Sequence, residues 1–216
     1  MDPIVESEMT FGPYPDGHCF RIEDSEVHKA AGEGVKIVEF LKLELPVGKA
    51  AQVWLVEAKR SAPRTNLEYQ NFIQLIRDEG HVRFPGSPPT LNEYVDFVRD
   101  EGRNSFAGPA NDFEDYFNEI REKMVNGLNL YFTARLNRHK TNDGEWPEPF
   151  RDLDLGTTGF RLFLVIKTVE ESWLPPLSEK FKKVMRPTAA TWALGPNAVE
   201  VLSEAGAQKH GLIAKE

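Results

Sequence analysis

Residues 35–61, VKIVEFLKLELPVGKAAQVWLVEAKRS, constrain the fold more than any other stretch of this chain. Two runs of β-branched, aromatic and aliphatic residues flank the turn segment LPVGKAA. Such runs read as a hairpin, with strands expected over 32–45 and 52–59. A strand built only for a core should stay apolar to its end. Here each strand carries glutamate, and the second closes on Glu57-Ala58-Lys59.

Alternate residues of a strand point the same way. Val53, Leu55, Glu57 and Lys59 therefore share one face, and Trp54, Val56, Ala58 and Arg60 the other. On the preceding strand Ile37, Glu39, Leu41 and Leu43 share a face. Hairpin pairing can bring Glu39 beside Glu57, since cross-strand neighbours sit roughly 5 Å apart. Two carboxylates that close repel unless a cation lies between them. Mg²⁺ prefers such oxygen ligands and keeps several waters for a substrate phosphate. Lys59, two residues along, would orient or deprotonate an attacking water or steady charge on phosphorus. Metal-assisted phosphodiester hydrolysis needs a group of this kind. The plainer reading is a solvated Glu–Lys ion pair at a strand end.

The rest of the chain supplies the partners of that hairpin. A strand is expected over 18–25 and a third core strand over 159–169. A long helix is expected over 112–136, capped by Asn111 or Asp112, with Phe113, Phe117, Ile120, Met124, Leu128 and Tyr131 at helical spacing. A short helix at 177–185 and a strand at 197–206 close the chain. Residues 67–79 and 91–101 also read as helical, and the echo of NFIQLIRDEG in EYVDFVRDEG makes 62–111 a helical insertion within a single 216-residue domain. The order of elements indicates an α/β protein with a mixed central sheet flanked by helices.

Composition narrows the function classes. The chain is 40% hydrophobic and 28% charged, ordinary for a globular protein, and its apolar runs fall short of a membrane span. A formal net charge of −8 argues against a protein that coats nucleic acid by charge alone. One cysteine, Cys19, excludes an internal disulfide, and the acidic first ten residues hold no apolar signal region. A cytoplasmic location is expected. His18, His28, His81, His139 and His210 lack paired zinc-ligand spacing, and no G-x-S-x-G or Walker-type loop is present. Trp146, Trp173 and Trp192 are candidates for base stacking, with burial in the core as the default.

The unit Glu39, 17 intervening residues, then Glu57-Ala58-Lys59 resembles the PD-(D/E)xK, or restriction-endonuclease-like, nuclease superfamily. The segments SEMTFGPYP, FRIEDS, GEGVKIVEF and VEAKRS also look like a group of small uncharacterised bacterial proteins. The superfamily resemblance implies a restriction-endonuclease-like mixed sheet flanked by helices; the helical insertion after the third strand lies outside the resemblance. It implies a Mg²⁺- or Mn²⁺-dependent nuclease in which Glu39, Glu57 and Lys59 are catalytic and Glu39, Glu57 and Glu23 bind metal. Glu39 stands where the family usually has aspartate, and no proline precedes it. Glu26 and Glu33 are alternatives to Glu23 as the upstream acid, and Gln70 or Gln74 match the glutamine of some nuclease branches. The implied partner is nucleic acid, DNA rather than RNA, together with a protein partner or a second copy of the chain. The alternative is a binding module of the same fold, without chemistry, serving as a subunit or adaptor in a larger assembly.

Overall fold

The computed structural model describes residues 2–32, 34–63, 107–138 and 145–214, with backbone alone for 107–112. The chain divides into two compact units, Met1–Ser61 with Phe117–Glu216, and Ala62–Tyr116. The insertion expected at 62–111, its two helices, and Gln70 and Gln74 lie almost wholly outside the described residues, as does Glu33.

A five-stranded mixed sheet forms the centre of the first unit, in the order β3–β4–β5–β6–β7. Its strands are β3 (Cys19–Phe20), β4 (Phe40–Glu44), β5 (Gln52–Ser61), β6 (Gly159–Thr168) and β7 (Val199–Ser203). β4 runs antiparallel to both its neighbours, β3 and β5, and β6 and β7 continue parallel to β5. A separate hairpin joins β1 (Ile4–Glu6) to β2 (Met9–Phe11). Its turn places Ser7 and Glu8 at positive φ, and the Ser7 hydroxyl donates to the Ala58 carbonyl of β5 at 3.0 Å. The helices are α1 (Glu26–Ala31), α2 (Ala107–Arg135), α3 (Glu148–Arg151), α4 (Leu174–Thr191) and α5 (Glu204–Lys209). None of the described helices is long and apolar enough to cross a membrane.

The expected elements recur with shifted ends, each for a local reason. The strand expected over 32–45 begins only at Phe40, because the carbonyls before it are taken by side chains. Val35 O meets the His28 ring at 2.7 Å, and Lys36 O accepts from Asn126 at 2.8 Å. The strand expected over 18–25 stops at Phe20. Ser25 caps a helix there instead, its hydroxyl accepting from His28 N and donating to Ile22 O. The long helix begins at Ala107, not at 112, and Pro109 fits its first turn, where a missing N–H costs nothing. The helix expected at 177–185 extends to Leu174–Thr191, opening on Pro175 and Pro176 for the same reason. Ser203 caps α5 and ends the last strand.

Both faces of the sheet are buried. On one, Phe40, Trp54, Val56, Ala58, Phe163 and Val165 pack with Met9, Phe11, Leu212 and Ile213. The alternate residues of β5 and β6 face α2, whose Phe117, Ile120, Met124, Leu128 and Tyr131 are buried. Gly127 lets the helix approach closely. A Cβ there would lie 3.1 Å from both Leu55 Cδ2 and Val38 Cγ2. This face holds Glu57, Lys59 and the α2 residues of the candidate site.

Candidate metal centre

β4 and β5 pair with Phe40 opposite Val56 and Leu41 opposite Leu55. Continuing that register by one residue sets Glu39 opposite Glu57, and Glu39 N donates to Val56 O at 3.2 Å. The hairpin thus brings the two glutamates together as its alternation implies. Glu57 has a fully buried side chain, and Glu39 is 13% exposed.

A cation does lie between them, and it is a lysine. Lys123 of α2 places Nζ 2.8 Å from Glu57 Oε1 and 3.3 Å from Glu39 Oε1. Lys59 sits 3.3 Å from Glu57 Oε1 and 3.0 Å from Glu119 Oε1, also on α2. Three steps of the helix therefore match three of the strand: Glu119 with Lys59, Lys123 with Glu57, Gly127 with Leu55. Four helical residues advance about 6 Å and two strand residues about 6.6 Å, so the ladders keep step.

Glu23 joins the group from the turn before α1, hydrogen-bonding the Glu39 carboxyl. The His28 ring holds that turn in place, its two nitrogens meeting Glu23 O at 2.8 Å and Val35 O at 2.7 Å. Glu6 of β1 also feels the charge of Glu39 and is paired with Arg21 at 2.7 Å. The structure thus gathers Glu23, Glu39, Glu57 and Lys59, and adds Lys123, Glu119 and Glu6. Glu26 points elsewhere, pairing with Lys29 at 2.6 Å.

Electrostatics follow from burial. Desolvation pushes Glu57 up to about 7, with Lys123 pulling down and Glu39 pushing up. Burial, then the charge and hydrogen bond of Glu39, raise Glu23, and burial followed by Glu39 raises Glu6. Burial works against the Lys123 charge, yet Glu57 and Glu39 outweigh it and hold the ammonium above its usual value. Glu119 is lowered, first by its hydrogen bond from Lys59.

Among the described residues, no three His, Cys, Asp or Glu side chains converge tightly enough to hold an ion by themselves. The Lys123 ammonium takes the space where Glu39 and Glu57 would share one. The donors still suit a hard cation. Glu57 Oε2 is buried with no hydrogen-bond partner, a costly orphan that a ligand would satisfy. Mg²⁺ is commonly held by one or two carboxylates with waters completing its shell, so Glu39 and Glu57 suffice as a donor set.

The aromatic candidates fall elsewhere. Trp146 is buried against Phe20, Tyr131 and Phe150. Trp192 stacks flat on Phe132 at 4.3 Å and is 37% exposed. It lines a cleft of about 480 Å³ with Gln52, Gly159, Arg161 and Asn197, at the opposite end of β5 from Lys59. Arg161 is already paired there with Glu200 at 2.6 Å, so the cleft presents no free charge of its own.

Sequence reasoning missed Lys123, Glu119 and Glu6. A legible signal existed for the first two: Glu119, Lys123 and Gly127 repeat every four residues along the edge of the buried stripe of α2. Comparison with family models, with curated proteins and with solved structures finds no match to this chain.

Proposed function

We propose that this chain is a divalent-metal-dependent nuclease of restriction-endonuclease-like fold, with Glu39 and Glu57 as metal ligands, Glu23 beside them and Lys59 at the reacting phosphate. One observation carries this reading: a fully buried Glu57 with an orphan oxygen, set opposite a second carboxylate at a strand end. A core has no use for that pair, because a buried carboxylate oxygen left without a partner carries a large desolvation cost.

A bound Mg²⁺ or Mn²⁺ would polarise the phosphate and lower the pKa of a bound water. The protein's own part is to hold charge. Glu57 is kept rigid by burial, Glu39 by the hairpin, and Glu23 by the His28 clamp. Lys59 is 25% exposed and projects beyond the buried carboxylate, so its ammonium can hydrogen-bond a phosphate oxygen that approaches from solvent. Nucleic acid, and DNA rather than RNA, is the proposed substrate.

Cleavage of labelled single- and double-stranded DNA and RNA, with Mg²⁺, Mn²⁺ or EDTA, tests the reading. Metal-dependent cleavage that Lys59→Ala abolishes supports it and names the substrate. Intact substrate in every lane rejects it.

The adaptor reading draws on a different observation. Both lysines are already matched to carboxylates, which makes a self-contained ion-pair network. That reading expects no effect of Mn²⁺ on the melting temperature of wild type, whereas a metal centre expects a rise that disappears in Glu57→Ala.

A further inference from the structure

We propose that Lys123 is the resident cation of the Glu39–Glu57 pair, and that a divalent ion enters by exchange with its ammonium rather than by filling an open position. The inference rests on the metal-centre reading and assigns that centre a built-in competitor.

The geometry leaves little alternative. Lys123 Nζ contacts the Oε1 atoms of both glutamates, at 3.3 Å from Glu39 and 2.8 Å from Glu57. An ion bridging the same oxygens would meet a like charge within a few ångströms, a repulsion that low-dielectric surroundings intensify. The two cations are therefore mutually exclusive at this position. Lys123 is only 15% exposed and its partners no more than that, so water screens the conflict poorly.

The lysine has somewhere to go. Its flexible four-carbon stem can swing the ammonium away from the carboxylates. Glu119, one turn earlier on α2 and 38% exposed, holds a carboxylate at the rim that already accepts from Lys59 at 3.0 Å and can share a second ammonium. After exchange a positive group would still stand beside the centre. Until then the occupied state lowers the apparent affinity for the ion, to its intrinsic value multiplied by the fraction of molecules in which Lys123 has swung away.

Exchange makes two measurements decisive, both with Mn²⁺ alone and no nucleic acid. Lys123→Met keeps the unbranched apolar stem, one atom shorter, and removes the charge. Calorimetry should show Mn²⁺ binding about tenfold tighter in Lys123→Met than in wild type, a factor worth ~1.4 kcal/mol. Equal or weaker binding by the variant, with wild type still binding, overturns exchange and leaves the metal centre standing. If neither protein binds Mn²⁺, the metal centre falls and exchange with it.

The second measurement uses wild type and decides the matter should Lys123→Met fail to fold. Reductive methylation read by mass spectrometry should label Lys123 slowly in EDTA and several-fold faster in saturating Mn²⁺. A Lys123 equally protected in both overturns the proposal.

Discussion

Lys123 Nζ lies 2.8 Å from Glu57 Oε1, although 66 residues separate the two in sequence and they sit on different elements, a helix and a strand. This contact closes the ladder that also pairs Glu119 with Lys59 and seats Gly127 over Leu55. It explains how a carboxylate can be wholly buried beneath a helix without tearing the sheet from its cover. Half of that carboxylate remains unsatisfied all the same.

Removing one partner should cost more than removing both. Lys123→Met alone leaves Glu57 a buried, uncompensated charge and should destabilise the protein by about 3 kcal/mol, the lower part of the range for a broken buried pair. Lys123→Met combined with Glu57→Gln should recover most of that loss. Urea unfolding of the four proteins, treated as a double-mutant cycle, gives the coupling.

Stability should fall as pH rises through the window set by Glu57. Its folded value of about 7 lies above the 4.5 of the unfolded chain, so the native state binds more protons between them. The stabilisation is complete below about pH 4.5 and is lost as pH approaches 7. Glu57→Gln lacks this titration. In EDTA, the stability of wild type relative to Glu57→Gln should decline across that window by an amount on the order of 3 kcal/mol. A flat difference curve would refute the assignment of the shift to Glu57.

Gly127 should tolerate no side chain without movement. Its added Cβ would crowd Leu55 and Val38 at 3.1 Å, tighter than ordinary contact. Gly127→Val should lower stability by roughly 1–3 kcal/mol through overpacking, despite removing a helix-interior glycine. An unchanged melting temperature would mean that helix and sheet are not in close register.

Cys19 should be inert in the native protein. Burial pushes its thiol up to about 12, and the side chain is inaccessible on β3. Ellman's reagent at pH 8 should detect no thiol before urea is added and one per chain afterwards. Rapid native labelling would place Cys19 at the surface.

The hairpin was legible because its information is local. β-branched runs, a Pro-Gly turn and a period of two fix which residues share a face, and register then decides which meet across it. Glu39, Glu57 and Lys59 could be placed together on those grounds. The long helix and the strand at 159–168 were legible for the same reason, their apolar spacing being a local property. Boundaries were not. The 35–38 segment is as apolar as a strand, but His28 and Asn126 take its carbonyls, and no window of sequence contains those partners.

The sequence by itself determined a carboxylate pair at the end of an apolar strand, because period-two alternation requires nothing beyond the strand. It also pointed to a cation between those carboxylates, because like charges at cross-strand distance repel. Which cation stands there was decided only by the tertiary structure. Helix packing carries Lys123 across 66 residues of chain to Glu57, and in the sequence a lysine at that helical position looks like any solvated charge. Its meaning comes from the face it is pressed against, and that face is set by close packing at Gly127.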